Sequence, residues 1–327
     1  MEIPFLPPKN LTVISNASYA PPVFIEKKAD LIEGLPDGIL ALIAPIVAYW
    51  VYSTFFHIID VYKLAEAYRI HPSEEELAKN KAKISDVIKD VILQHIIQTI
   101  AGIVFYKLDK IPTTGYELNQ MWYWKQKFTW VPNEVIWFLY TYGVSFFKVV
   151  LAFIIIDTWQ FMLHRLMHVN KYLYSRFHSR HHRLQVPYAY GALYNDPVEG
   201  FLLDTCGTGV AGLLTGLTSR ESLFLYTFST MKTIDDHCGY RLPLDPFQFI
   251  FPNNSVYHDI HHQSWGFKHN FSQPFFTFWD RWFGTKYEFI EEYKELQKKV
   301  TLEKYKEFLN EKTKGKYNYN LKKDKKD

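Results

Sequence analysis

The sequence predicts an all-α, polytopic membrane protein with about four transmembrane helices or helical hairpins and a histidine-rich site facing the cytosol. Three observations carry this. Apolar runs recur at lengths near the roughly 20 helical residues that cross a bilayer. Phe, Tyr and Trp make up 18% of the 327 residues, and aromatic rings collect in large cores and at membrane interfaces. Ten of the 13 histidines lie between His164 and His269. The mean hydropathy of -0.17 conceals the apolar runs, because charged segments alternate with them. A net charge of +3 argues against nucleic acid as a partner. The two cysteines, Cys206 and Cys238, are too few for a disulfide scaffold and contain no C-x2-C.

Residues 1–134 are expected to hold a luminal N-terminal segment, two membrane helices and their loops. The start lacks a basic stretch followed by an apolar one, so no cleavable signal peptide is expected. Residues 38–59 form the first apolar run. Residues 62–83 are charged, contain His71, Pro72 and Ser73 followed by Glu74, Glu75 and Glu76, and read as a solvated loop or surface helix. The second run, 87–106, carries Gln94, His95 and Gln98 on roughly one face, which should turn toward other helices. His95 reads as a structural or supporting residue, and His57 as a packing residue. Residues 107–132, with Trp122, Trp124 and Trp130, read as an interfacial or luminal loop.

Residues 135–287 hold the histidine clusters and are expected to form one domain. The third run, 135–156, is broken by Lys148, which must snorkel or face protein. It leads into Asp157, His164 and His168, so the first histidine pair sits where a membrane helix leaves the bilayer. Residues 201–234 are apolar and rich in glycine, split at Thr218-Ser219-Arg220-Glu221. They read as a hairpin of two short helices dipping into the membrane. Residues 288–327 read as a charged cytosolic tail. Lys63, Arg69, Lys79, Lys81 and Lys83 in the first loop and the lysine-rich tail both belong on the cytosolic side. The N-terminus is then luminal, and two glycosylation sequons (Asn10-Leu11-Thr12 and Asn16-Ala17-Ser18) agree with that threading. Lys323 and Lys325 near the end resemble a dilysine retrieval signal of the endoplasmic reticulum.

Nine histidines follow a repeated spacing: His164 and His168, then His178, His181 and His182, then His237, then His258, His261 and His262. A lone histidine on an apolar face is usually a hydrogen-bonded core residue. Nine in two copies of H-x2-H-H would leave many buried polar groups to satisfy without a metal. Neutral imidazole suits iron, zinc and copper. Residues at i, i+3 and i+4 share a helix face, so each H-x2-H-H is expected to aim three nitrogens at one small volume. Two triads, a pair and a single give ligands for two metals, about four or five each, which leaves open positions. A structural zinc would close its shell. Asp157, Asp196, Glu199, Asp235, Asp236 and Asp259 are candidates to orient the imidazoles. His269 is left out of the ligand set.

The series H-x3-H, H-x2-H-H, lone His, H-x2-H-H among membrane helices resembles the fatty acid hydroxylase (sterol desaturase) superfamily. Within it, residues 194–200 (Tyr-Asn-Asp-Pro-Val-Glu-Gly), 231–240 (Met-Lys-Thr-Ile-Asp-Asp-His-Cys-Gly-Tyr), 252–254 leading into 257–263, 271–276 and Trp279-Asp280 look like sphinganine 4-hydroxylases. The resemblance implies an endoplasmic reticulum monooxygenase with two iron ions (zinc as an alternative on isolation) that uses O2. It would hydroxylate carbon 4 of sphinganine or dihydroceramide, giving phytosphingosine or phytoceramide. It also implies electrons from cytochrome b5 and an NAD(P)H-dependent reductase, because the chain carries no G-x-G-x-x-G, no P-loop and no His-Pro-Gly-Gly of a fused cytochrome. A membrane lipid would reach the site sideways, along residues such as Phe177, Tyr188, Tyr190 and Phe275. An oligomer is compatible with all of this. The rival readings are a sterol methyl oxidase or desaturase, a fatty acyl 2-hydroxylase and, more distantly, a metal transporter. A zinc metalloprotease lacks its H-E-x-x-H.

Overall fold

The computed structural model describes residues 7–313; the dilysine pair lies outside them. The chain is mostly helical, and its strand content among the described residues is a two-residue antiparallel pair, Glu26–Lys27 with Thr113–Thr114. Among the described residues, three helices are long and apolar enough to cross a membrane: α1 (Asp37–Tyr62), α2 (Ile84–Leu108) and the stretch Asn133–Val169, called α4 below. The first two extend their apolar runs by one to three residues at each end, while the third begins two residues before its run and continues 13 residues past it, through His164 and His168. Large apolar side chains stay exposed along them, among them Val51 at 66%, Ile100 at 59% and Phe146 at 72%. In water such faces would be an aggregation hazard; in lipid they are the solvated surface.

Two compact units divide the chain. The first comprises residues 1–45, 99–156 and 206–228. It contains α3 (Glu117–Lys127), which falls inside the segment expected to be a loop. The alternation of tryptophan with charge hid the helix, whose Met121 packs with Leu11, Ile14 and Ile136. Trp122 Nε1 donates to the Ala17 carbonyl at 3.0 Å. Lys148 faces protein: its ammonium donates to the Gly216 carbonyl at 2.8 Å and lies 3.7 Å from Glu221. The expected hairpin consists of a π-turn at Phe201–Cys206, α5 (Gly207–Thr215) and α6 (Ser219–Asp236). Gly216, at φ 61°, ends α5 in the left-handed region that glycine tolerates.

The second unit comprises residues 46–98, 157–205 and 229–327. Its apolar core joins Tyr49, Phe56, Val87 and Val91 to Leu184, Tyr190, Tyr194, Ile234 and Tyr240. His95 sits in this wall, its ring 5.0 Å from Tyr49 and 6.0 Å from Trp50. A smaller cluster of Ile70, Val256, Ile260 and Tyr293 seats α7 (Ser255–His262) near α8 (Ile290–Thr313). Tyr188, Tyr190 and Phe275, expected along a lipid path, are buried core residues.

Candidate metal centre

Four pieces of backbone bring the histidines together. His164 and His168 are one turn apart near the end of α4. His178 ends a π-turn, and His181 and His182 begin a 3-10 turn. His237 follows the last residue of α6. His258, His261 and His262 lie on α7, which Asn254 caps by accepting from the Tyr257 N–H at 3.1 Å.

The nine imidazoles gather into two groups. One holds His164, His168, His178, His182 and His261; the other holds His181, His237, His258 and His262. Within each group the ligand atoms lie within 4.8 Å of one another. This corrects the expectation that each H-x2-H-H serves one volume. The outer two histidines of each triad stay together, while the middle one, His181 or His261, joins the opposite group.

The tautomers follow from the partners. His164 Nδ1 donates to the Phe271 carbonyl at 2.8 Å, and His261 Nδ1 to that of His269 at 2.7 Å. His181, His237 and His262 Nδ1 donate to the carbonyls of Tyr194 (3.2 Å), Thr233 (2.7 Å) and Leu184 (2.9 Å). His178 Nδ1 donates to Glu199 at 2.5 Å. A carbonyl can only accept, and a neutral imidazole has one N–H. The Nε2 atoms of the five rings held by carbonyls therefore carry lone pairs, and that of His178 does so when Glu199 is ionised. Yet His164 and His178 Nε2 approach to 3.1 Å, and His181 and His237 Nε2 to 3.4 Å. Two lone pairs face to face need a cation between or beside them. A proton does not fill that role, because burial pushes His178, His181 and His237 down to about 3 and holds His182, His258, His261 and His262 well below the usual histidine range. The histidine clusters thus fit a metal site.

Of the six acidic candidates, Glu199 bonds a site imidazole directly. Asp157 instead accepts from the backbone N–H groups of Phe275 (3.1 Å) and Phe276 (2.5 Å). Asp280, whose role the sequence did not reveal, accepts from Phe271 (3.0 Å) and Ser272 (2.7 Å). Both acids clamp the loop whose Phe271 carbonyl holds His164. Asp196 caps the turn at Val198 and lies 3.6 Å from Arg176. Asp236 pairs with the buried Lys232, and Asp235 is buried without an imidazole bonded to it. Asp259 turns away from the histidines: it accepts from His71 Nε2 at 3.0 Å and from the Tyr293 hydroxyl at 2.6 Å. His269 contributes its backbone carbonyl.

His71 is the larger correction. Its segment was expected to be solvated, yet His71 is 3% exposed and its Nδ1 reaches Glu75 at 3.0 Å. Burial alone would lower its pKa; the Asp259 and Glu75 carboxylates outweigh that and hold it up at about 9. Arg69 nearby is likewise buried, 2.5 Å from Asp60 and from Glu76.

A small cavity of about 30 Å³ is lined by His178 of the first group and by His181, His237 and His258 of the second. Its remaining wall is largely polar and includes Gln160, Asn195, Glu199, Asp204, Thr233 and Asp236.

The family model for fatty acid hydroxylase matches residues 149–285. The sphingolipid C4-hydroxylase of Saccharomyces cerevisiae is 58% identical over 293 residues, covering 89% of this chain and 84% of that protein. Sphinganine C4-monooxygenase 1 of Arabidopsis thaliana is 43% identical over 259 residues, covering 79% and 91%. A very-long-chain aldehyde decarbonylase of Oryza sativa is 40% identical over 249 residues, covering 76% and 88%. No solved structure matches significantly. With all nine histidines inside the matched residues and relatives this similar across most of its length, the chain belongs to the fatty acid hydroxylase family.

Proposed function

We propose that this protein is a membrane monooxygenase that hydroxylates carbon 4 of sphinganine, giving phytosphingosine. The observation that carries the reading is the pair of histidine groups with facing Nε2 lone pairs, set in a chain 58% identical to a sphingolipid C4-hydroxylase. The reaction consumes one O2, two electrons and two protons, inserts one oxygen atom into the C–H bond and releases the other as water. Two iron ions, held by the five and the four histidines, would supply the oxidising power that an unactivated methylene demands. This chain's residues do the rest. Backbone carbonyls and Glu199 fix the tautomers, so nitrogen lone pairs point inward. Burial keeps the imidazoles neutral and water out.

The electrons would come from cytochrome b5 and an NAD(P)H-dependent reductase docking on the basic cytosolic face. The membrane would be that of the endoplasmic reticulum, with the site on its cytosolic side. The rice relative favours one second reading, removal of the carbonyl carbon from a long-chain aldehyde.

The test uses membranes containing the protein, sphinganine deuterated at carbon 4, labelled O2 and the reductase system, with His181→Ala as control. A trihydroxy base with one labelled oxygen at carbon 4, absent in the control, is expected. No such product, with iron and reductant present, would overturn the assignment and send the search to aldehydes, sterols and fatty acyl lipids.

A further inference from the structure

We propose that the polar wall of the cavity is a cation subsite that takes the ammonium of a free long-chain base, with Asp204 as its specificity-determining carboxylate. This rests on the C4-hydroxylase reading. In sphinganine the amino group is on carbon 2 and hydroxyls are on carbons 1 and 3. The polar end is therefore only a few bonds from the carbon that is oxidised, so a site for the ammonium has to lie close to the histidine groups.

Several observations fit that wall to an ammonium. Its lining includes three carboxylates, Glu199, Asp204 and Asp236, and, among the described residues, no lysine or arginine. Of these, Asp236 is already paired with the buried Lys232. Glu199 is 2% exposed; one of its oxygens holds His178, and the other, Oε2, is buried with no hydrogen-bond partner. A buried carboxylate oxygen without a donor is costly, and an N–H or O–H from a ligand in the cavity would satisfy it. Asp204 Oδ1 accepts from Gln160 Nε2 at 3.3 Å, and Gln160 lies one turn before His164 on α4. Asn195 and Thr233 line the same cavity and supply groups suited to hydroxyls. An N-acylated base brings no positive charge to this wall, so the wall favours the free amine.

The experiment compares sphinganine with N-acylated sphinganine on full-length enzyme in membranes, for the wild type, Asp204→Asn and Asp204→Glu. Asp204→Asn keeps shape and removes charge. It should lower the ratio of kcat/KM for the free base over the N-acylated base roughly ten- to a hundredfold, the value of a charge-assisted hydrogen bond, mainly through KM. Asp204→Glu should keep the preference for the amine. Parallel loss on both substrates, an unchanged ratio, or loss of bound metal in Asp204→Asn would overturn the proposal. Equilibrium binding of labelled sphinganine to the same proteins separates this from the reaction assignment. If the wild type binds the base but makes no 4-hydroxy product, the C4 reading fails. If binding is equal in wild type and Asp204→Asn, the subsite fails.

Discussion

Replacing His71 by glutamine tests whether a buried ion pair outside the histidine groups holds α7 in place. His71 Nε2 lies 3.0 Å from both oxygens of Asp259, the neighbour of His258, and the Tyr293 hydroxyl completes the carboxylate at 2.6 Å. The carboxylates raise His71 from 6.5 to about 9 against its burial. That difference, at about 1.36 kcal/mol per tenfold in acidity, stabilises the folded state by about 3 kcal/mol. The sign follows from the raised value. The stabilisation is complete below about pH 6.5, declines as pH climbs and is lost above about 9. The assay is thermal unfolding of the full chain in detergent from pH 6 to 9.5, wild type against His71→Gln. The gap between the two should be widest near pH 6 and close toward pH 9.5. Curves that stay parallel across the range would show that His71 carries no charge in the fold, and the ion-pair account would fall.

Other outcomes follow from the same contacts. Glu199→Gln replaces the acid that holds His178 Nδ1 by a neutral amide and should weaken metal binding by roughly 10–100-fold, read by chelator competition. Lys232→Met leaves the Asp236 carboxylate buried without its cation and should cost about 3–5 kcal/mol, read as a fall in Tm. Gly266→Ala would set a Cβ 1.8 Å from the Ile260 carbonyl. Because the obstacle is backbone of α7, this variant should lose bound metal and stability together, read by metal content and Tm.

The membrane helices and the nine histidines were legible because both are written in side chains: continuous apolar runs in one case, a rare residue at fixed spacing in the other. What fixes the imidazoles was not. Five of the six Nδ1 partners named above are backbone carbonyls, of Tyr194, Leu184, Thr233, His269 and Phe271, and any residue type offers one. The acids misled for a related reason. Asp157 shares a helical face with His164 and Asp259 adjoins His258, yet Asp157 is spent on a loop's N–H groups and Asp259 on His71. Adjacency along a chain does not give direction. His71 was hidden by the charge around it: Arg69, Glu75 and Glu76 read as a solvated run, but each is paired inside the fold.

The exchange of His181 and His261 between groups follows from helix geometry and has a consequence. On a helix turning about 100° per residue, i+4 lies about 40° to one side of i, and i+3 about 60° to the other. A triad H-x2-H-H is therefore a wedge, with its outer pair on one flank and its middle residue on the other. On α7, His258 and His262 face one group and His261 the other. The segment 178–182 reaches the same division through a π-turn followed by a 3-10 turn. Each group thus takes an outer pair from one triad and the middle histidine from the other. Neither triad can close around its own ion without placing its third ring at the neighbouring site, so the two sites assemble together. Metal-free protein titrated with zinc or ferrous iron should take up two ions cooperatively, and His261→Ala should weaken both binding steps although it removes a ligand from only one group. Two independent steps, with the second unaltered in His261→Ala, would show that the groups form separately and that the crossover is only a way of packing nine rings into a small space.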